Sequence, residues 1–80
     1  MIKKEYQNIM NEFKFKYRYT NKLNKEKMII LKLIEIHYKN LLFNVESLMR
    51  FLNNKKEHFL NRNGIYRFLV LLQERFLELE

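Results

Sequence analysis

Apolar residues at Ile2, Tyr6, Ile9, Met10 and Phe13 recur at the spacing of one helix face. This predicts a short amphipathic helix over residues 1–13, with Lys3, Lys4 and Glu5 on its polar face. Alone, a helix of that length is marginal in water. The period then changes. Phe13–Thr20 reads FKFKYRYT, with aromatics alternating with Lys14, Lys16 and Arg18. A lone strand in a helical chain has nothing to pair with. The alternation therefore predicts an extended basic arm over 14–24, with cations facing phosphates and aromatics stacking on bases. An edge strand or a plain linker stays open. Asn24 can cap the helix that follows.

Ile30, Ile34, His37, Leu41, Val45, Leu48 and Leu52 step by 4, 3, 4, 4, 3, 4. That heptad-like seam predicts one long helix over 25–53. His37 lies on the seam, where a partly buried histidine bonded to a neighbour is a better account than a ligand. Asn53-Asn54-Lys55-Lys56 predicts a turn over 54–57. Phe59, Tyr66, Leu69, Val70, Phe76 and Leu77 predict a last long helix over 58–80. Local rules conflict at Asn61-Arg62-Asn63-Gly64, because Asn and Gly favour helix ends. The last helix either begins at His58 and tolerates Gly64, or begins after it. The expected class is all-α: a short N-terminal helix, a basic arm, and an antiparallel pair of long helices. The seam from Ile30 to Leu52 would face Tyr66, Leu69, Val70, Phe76 and Leu77.

Size and composition narrow this picture. Eighty residues suggest one domain, 1–80. A chain this small buries about 60–65% of its unfolded surface, so a partner is the expected source of extra stability. There is no cysteine, and only two histidines, so neither a disulfide nor a thiolate metal site is available. No cofactor is expected. Met1–Phe13 lacks the long apolar run of a secretory signal. Lys32, Glu35 and Lys39 interrupt the most apolar window, so no membrane span is expected. The preference for Lys, Asn, Ile, Tyr and Phe follows AT-rich codons, which weakens arguments from composition alone.

The net charge is +7, from 16 Lys and Arg against 9 Asp and Glu. Residues 1–30 carry eight basic and three acidic side chains, 31–63 six and three, and 64–80 two and three. A field of this sign attracts nucleic acid or an anionic membrane surface. Little else in the chain points to chemistry. There is no glycine-rich phosphate loop or paired-histidine zinc pattern. Ser47 is the only serine, and Phe43, Asn44, Arg50 and Phe51 around it supply no base. Glu74, Glu78 and Glu80 are better read as a helix face than as an acid pair. An enzyme acting on a small molecule is not expected.

The segment Leu48–Gly64, LMRFLNNKKEHFLNRNG, is the exception. It holds Arg50, Lys55, Lys56, His58 and Arg62 against one acid, Glu57, and the only glycine of the chain. Its cations suit phosphates. Asn53, Asn54, Asn61 and Asn63 suit the shallow minor groove of an RNA helix. A helix N-terminus near His58 would add backbone donors.

KKEHFLNRNGI at Lys55–Ile65 resembles HKKDFLSQRGL, the elbow of small-subunit ribosomal protein fifteen. An ungapped alignment keeps Leu48, Leu52, Lys56, Phe59, Leu60, Gly64, Leu69, Gln73 and Leu79 in step. Upstream, Glu35, Ile36, Val45 and Leu48 follow the family's helix pattern, and IMNEF at Ile9–Phe13 is similar to its IVSEF. The resemblance covers roughly two thirds of the chain. It implies a helical bundle whose first helix can swing away from an antiparallel pair. It also implies binding to small-subunit ribosomal RNA at a three-way junction and an adjoining minor groove, beside neighbouring ribosomal proteins. A reach toward large-subunit RNA at an intersubunit bridge is implied as well. The family's minor-groove His, Asp and Ser fall on Phe51, His58 and Asn61, so base readout is expected to be weak. Backbone contact through Lys55, Lys56 and Arg62 should remain.

The family's Thr-Gly-Ser turn falls on Leu31-Lys32-Leu33, and its junction glutamine on His37. Glu74 and Glu78 stand where its last helix carries cations and a tyrosine, and a C-terminally truncated copy is expected. The basic stretch Lys14–Lys27 would compensate. The RNA-binding set expected on these grounds is Lys14, Lys16, Arg18, Lys32, His37, Asn54, Lys55, Lys56, His58, Asn61, Arg62 and Gly64. The expected compartment is an organellar ribosome, a plastid ahead of a mitochondrion because Phe-Leu follows the elbow. The rival reading is a helical interaction module that pairs through the seam as a homodimer or regulator, without RNA.

Overall fold

The computed structural model describes residues 2–39 and 44–79. Among the described residues there are four helices and no strand: α1 (Ile2–Lys16), α2 (Lys22–Tyr38), α3 (Val45–His58) and α4 (Asn63–Leu77). The all-helical expectation holds. The chain gathers into two compact units, residues 1–43 and 44–80, each built on one pair of consecutive helices.

In the first unit α1 buries Tyr6, Ile9, Met10 and Phe13 on one face, and Tyr17 in the turn after it is buried too. Met10 is fully buried, as are Leu31 and Ile34 of α2. The extended arm is not found: residues 14–16 belong to α1 and Lys22 opens α2. Phe13 and Tyr17, four residues apart, continue the buried face. Phe15 and Tyr19 fall on the other side and are each 67% exposed. An alternating string of aromatics can thus run from the end of a helix into the turn after it, with one half of the string in and the other half out. Asn21, not Asn24, caps α2. Its side chain accepts from the Asn24 N–H at 2.8 Å, and the Asn24 amide donates to the Tyr19 carbonyl at 2.9 Å.

The long helix expected over 25–53 is interrupted. α2 ends at Tyr38 and α3 begins at Val45. Asn44 takes extended backbone angles (φ −144°, ψ 122°), and its side chain accepts from the Ser47 N–H at 3.2 Å. That is an N-cap, and a residue capping a new helix is not inside an old one. The seam is divided between the two units instead of facing the last helix as a whole: Ile30 and Ile34 are buried in the first, where α2 pairs with α1, and Val45, Leu48 and Leu52 in the second, where α3 pairs with α4. Leu41 lies outside the described residues. His37 is exposed, not partly buried as its place on the seam suggested, because α2 is ending there.

In the second unit the turn comes later than expected. Asn53–Lys56 stays helical, since its two lysines are good helix formers. Asn53 instead faces α4, where its side-chain oxygen accepts from the Gln73 amide at 2.9 Å. A bond between residues twenty apart shows that the chain has folded back into a hairpin. The loop is Phe59–Arg62. The Phe59 N–H closes α3 on the Lys55 and Lys56 carbonyls, and the Arg62 N–H donates to the Phe59 carbonyl at 2.9 Å. The last helix therefore begins at Asn63, not His58. Gly64 lies in its first turn without positive φ, so it neither ends a helix nor interrupts one. α4 buries Ile65, Phe68, Leu69, Leu72 and Phe76. Tyr66 and Val70 are only half-buried and Leu77 is exposed. Ile65, Phe68 and Leu72 take their places in the core.

Candidate nucleic-acid interface

The α3–α4 hairpin gathers most of the expected set at its closed end. Lys55, Lys56 and His58 occupy the last turn of α3. Asn61 and Arg62 lie in the loop, and Gly64 in the first turn of α4. Asn54, His58, Asn61 and Arg62 are exposed. Lys55 and Lys56 are half-buried at their stems, which is how long cations lie along apolar surface while keeping the charge in water. The Lys55 ammonium sits 5.4 Å from the centre of the Phe51 ring. Phe51 cannot hydrogen-bond, but it holds the cation that can.

Helix electrostatics supply part of the reason for this arrangement. The C-terminal end of α3 carries partial negative charge, which Lys55 and Lys56 offset. The loop then delivers the chain to the N-terminal end of α4, where partial charge is positive. The Ile65 and Tyr66 N–H groups there both donate to the Arg62 carbonyl, at 3.0 and 2.8 Å. Glu57, exposed, is the one acid among residues 50–64. This end of the hairpin can therefore hold polyanion phosphates, and its exposed amides can bond to sugar hydroxyls or groove edges.

The second group belongs to α1 and the connection to α2. Lys14 is ion-paired with Glu35 of α2. The Arg18 guanidinium lies 3.9 Å from the centre of the Phe15 ring and 5.0 Å from that of Tyr19, and it donates to the Tyr19 hydroxyl at 3.1 Å. Lys16 and Lys27 approach the Tyr17 ring at 5.7 and 4.2 Å. Burial raises the Tyr17 phenol above its ordinary value of 10.0. Burial, and secondarily the charge of Lys16, lowers the Lys27 ammonium below 10.5. Sequence reasoning placed Lys14, Lys16 and Arg18 here but missed Lys27 as a partner of Tyr17. The signal was its place in the basic run of residues 14–27.

Lys32 and His37 are exposed on α2. Among the described residues no group of three or more His, Cys, Asp or Glu could hold a metal ion, and no helix is long and apolar enough to cross a membrane. No family model, curated protein or solved structure matches the chain.

Proposed function

We propose that the chain is an RNA-binding component of a small ribosomal subunit, of the kind that ribosomal protein fifteen represents, working in an organelle and most readily a plastid. Its role is structural, not catalytic. It clamps a junction of small-subunit ribosomal RNA beside neighbouring ribosomal proteins, supports platform assembly, and reaches large-subunit RNA at a bridge. One observation carries this reading: the α3–α4 hairpin closes on Lys55, Lys56 and Arg62 with exposed Asn54, Asn61 and His58 and one acid. The segment that resembles the ribosomal family, Lys55–Ile65, is also the segment that makes the turn. An antiparallel helix pair with a basic turn is the part of the family's arrangement that a helical hairpin supports.

The mechanism is electrostatic. Each phosphate contact displaces condensed counterions, so affinity falls steeply with salt. Phosphate contacts position the protein and carry no sequence information. With Phe51 and His58 in two of the three groove positions, specificity comes from the shape of the junction. The rival reading of a homodimeric module would need apolar surface other than Ile30, Ile34, Val45, Leu48 and Leu52, which the chain buries within itself.

The test is binding to a small-subunit junction RNA across a salt series, with co-sedimentation of the chain with small subunits as the cellular counterpart. Lys55→Ala, Lys56→Ala and Arg62→Ala should each weaken binding and lower the log–log salt slope by about one. Lys4→Ala, an exposed change on α1, is the comparison. Equal loss in Lys4→Ala would mean that the charge acts as a diffuse field and the hairpin end has no special part.

A further inference from the structure

The joint between α1 and α2 has the chemistry of a second site, on elements that the hairpin does not use. Phe15 and Tyr19 are each 67% exposed, while Tyr6, Phe13 and Tyr17 are packed away. Both stand against one guanidinium, that of Arg18, at 3.9 and 5.0 Å. Residues 14–27 hold Lys14, Lys16, Arg18, Lys22, Lys25 and Lys27 against one acid, Glu26. Of these cations, Lys14 is engaged by Glu35; Lys16, Arg18, Lys22 and Lys25 are exposed.

Open rings beside exposed cations match the two features of an unpaired nucleic-acid strand. Its bases present flat faces for aromatics and guanidinium, and its phosphates follow at the reach of lysine. A duplex hides those faces, and an acidic protein would supply carboxylates but no stacking partner. We propose that Phe15, Arg18 and Tyr19 form a stacking platform for unpaired bases of a single-stranded RNA segment, with Lys16, Lys22 and Lys25 holding its backbone. The platform rests on the reading of the chain as an RNA binder, but it makes a claim about a different unit and a different form of RNA.

The experiment uses the full chain and two probes: a short labelled single-stranded RNA without self-complementarity, and the junction RNA described above. Phe15→Leu and Tyr19→Leu remove a ring and no charge. Each should weaken single-strand binding by at least about fivefold, the lower end for loss of one stacked base, with the salt slope unchanged. Tyr19→Phe keeps the ring and should bind as the parent does. Circular dichroism should show full helicity in all three, since both positions are exposed. Ultraviolet crosslinking of the unaltered chain to the single strand, mapped by mass spectrometry, should give adducts at Phe15 or Tyr19; it needs no variant to fold. Unchanged single-strand affinity in both leucine variants, or adducts only elsewhere, overturns the platform. So does binding to phosphatidylglycerol vesicles that the leucine variants abolish while RNA binding is untouched. If junction binding still depends on Lys55, Lys56 and Arg62 in that case, the ribosomal reading stands and only the platform fails. If neither RNA binds, both fail.

Discussion

Leu48→Ala offers the sharpest test of the second unit. Leu48 is 0% exposed near the start of α3, and Ile65, Phe68, Leu69 and Leu72 of α4 are equally dry, at 0 or 1%. The change removes three carbons. At about 0.8 kcal/mol per buried methylene, the transfer term alone is about 2.4 kcal/mol. The cavity left behind raises the loss toward the 2.7–5.0 kcal/mol range seen for such truncations, or about 3 kcal/mol for a hairpin that can partly collapse. A core of this size rarely supplies more than about 3–5 kcal/mol, so the variant should stand near its midpoint without denaturant. Urea unfolding followed by far-ultraviolet circular dichroism measures this. With a slope of about 1 kcal/mol per molar, the midpoint should fall by about 3 M. Leu60→Ala is the natural comparison, because Leu60 is 60% exposed in the loop and should cost under about 0.5 kcal/mol. A loss below about 1 kcal/mol for Leu48→Ala at unchanged slope would refute the closed core between α3 and α4.

Two further outcomes can be measured on the same protein. Asn21→Ala and Asn44→Ala each delete an observed side-chain cap and should each cost about 1 kcal/mol in urea unfolding, whereas glycine at either position should cost only a few tenths; an unaffected Asn44→Ala would argue for a helix running through the break. Burial raises the Tyr17 phenol, so the folded state holds its proton more tightly than the unfolded state. That contribution to stability is complete below the ordinary phenol range and is lost as pH rises through it. A phenolate absorbance titration should therefore show one late component that Tyr17→Phe removes.

How much was legible in the sequence depended on the kind of signal. Apolar steps of three and four found the buried residues of α1 and the seam, since burial of one helix face needs only that period. The same period cannot say where a helix stops. The apolar steps from Ile30 to Leu52 run on in sequence past Asn44, where α3 is capped, and a single amide bonding to Ser47 leaves no mark on the hydrophobic pattern. At Asn53–Lys56 the amides looked like a turn, yet Asn53 is used for a tertiary bond to Gln73, twenty residues away, which no local rule contains. Phe15 and Tyr19 misled in the opposite sense. Their alternation with lysine suggested an extended arm, although Phe15 is on the outer face of α1 and Tyr19 in the turn after it, with Phe13 and Tyr17 buried. The site was more legible than the elements that carry it. Lys55, Lys56, His58, Asn61 and Arg62 are neighbours in sequence, so a shift of the turn from residues 54–57 to Phe59–Arg62 left them together.

The pairing of α1 with α2 and of α3 with α4 also bears on how the chain acquires its structure. Each principal helix contact joins neighbours in sequence, and each pair is closed by a short connection. Chains with such local contacts reach the native state quickly, because little loop-closure entropy is lost before contacts compensate. Helix α1 and its partner can pair while the residues after them are still leaving the ribosome that makes them. The second hairpin can follow without waiting for a distant segment. Order of synthesis and order of folding then coincide, which limits the time that Phe68, Leu72 and Phe76 spend exposed to other unfolded chains.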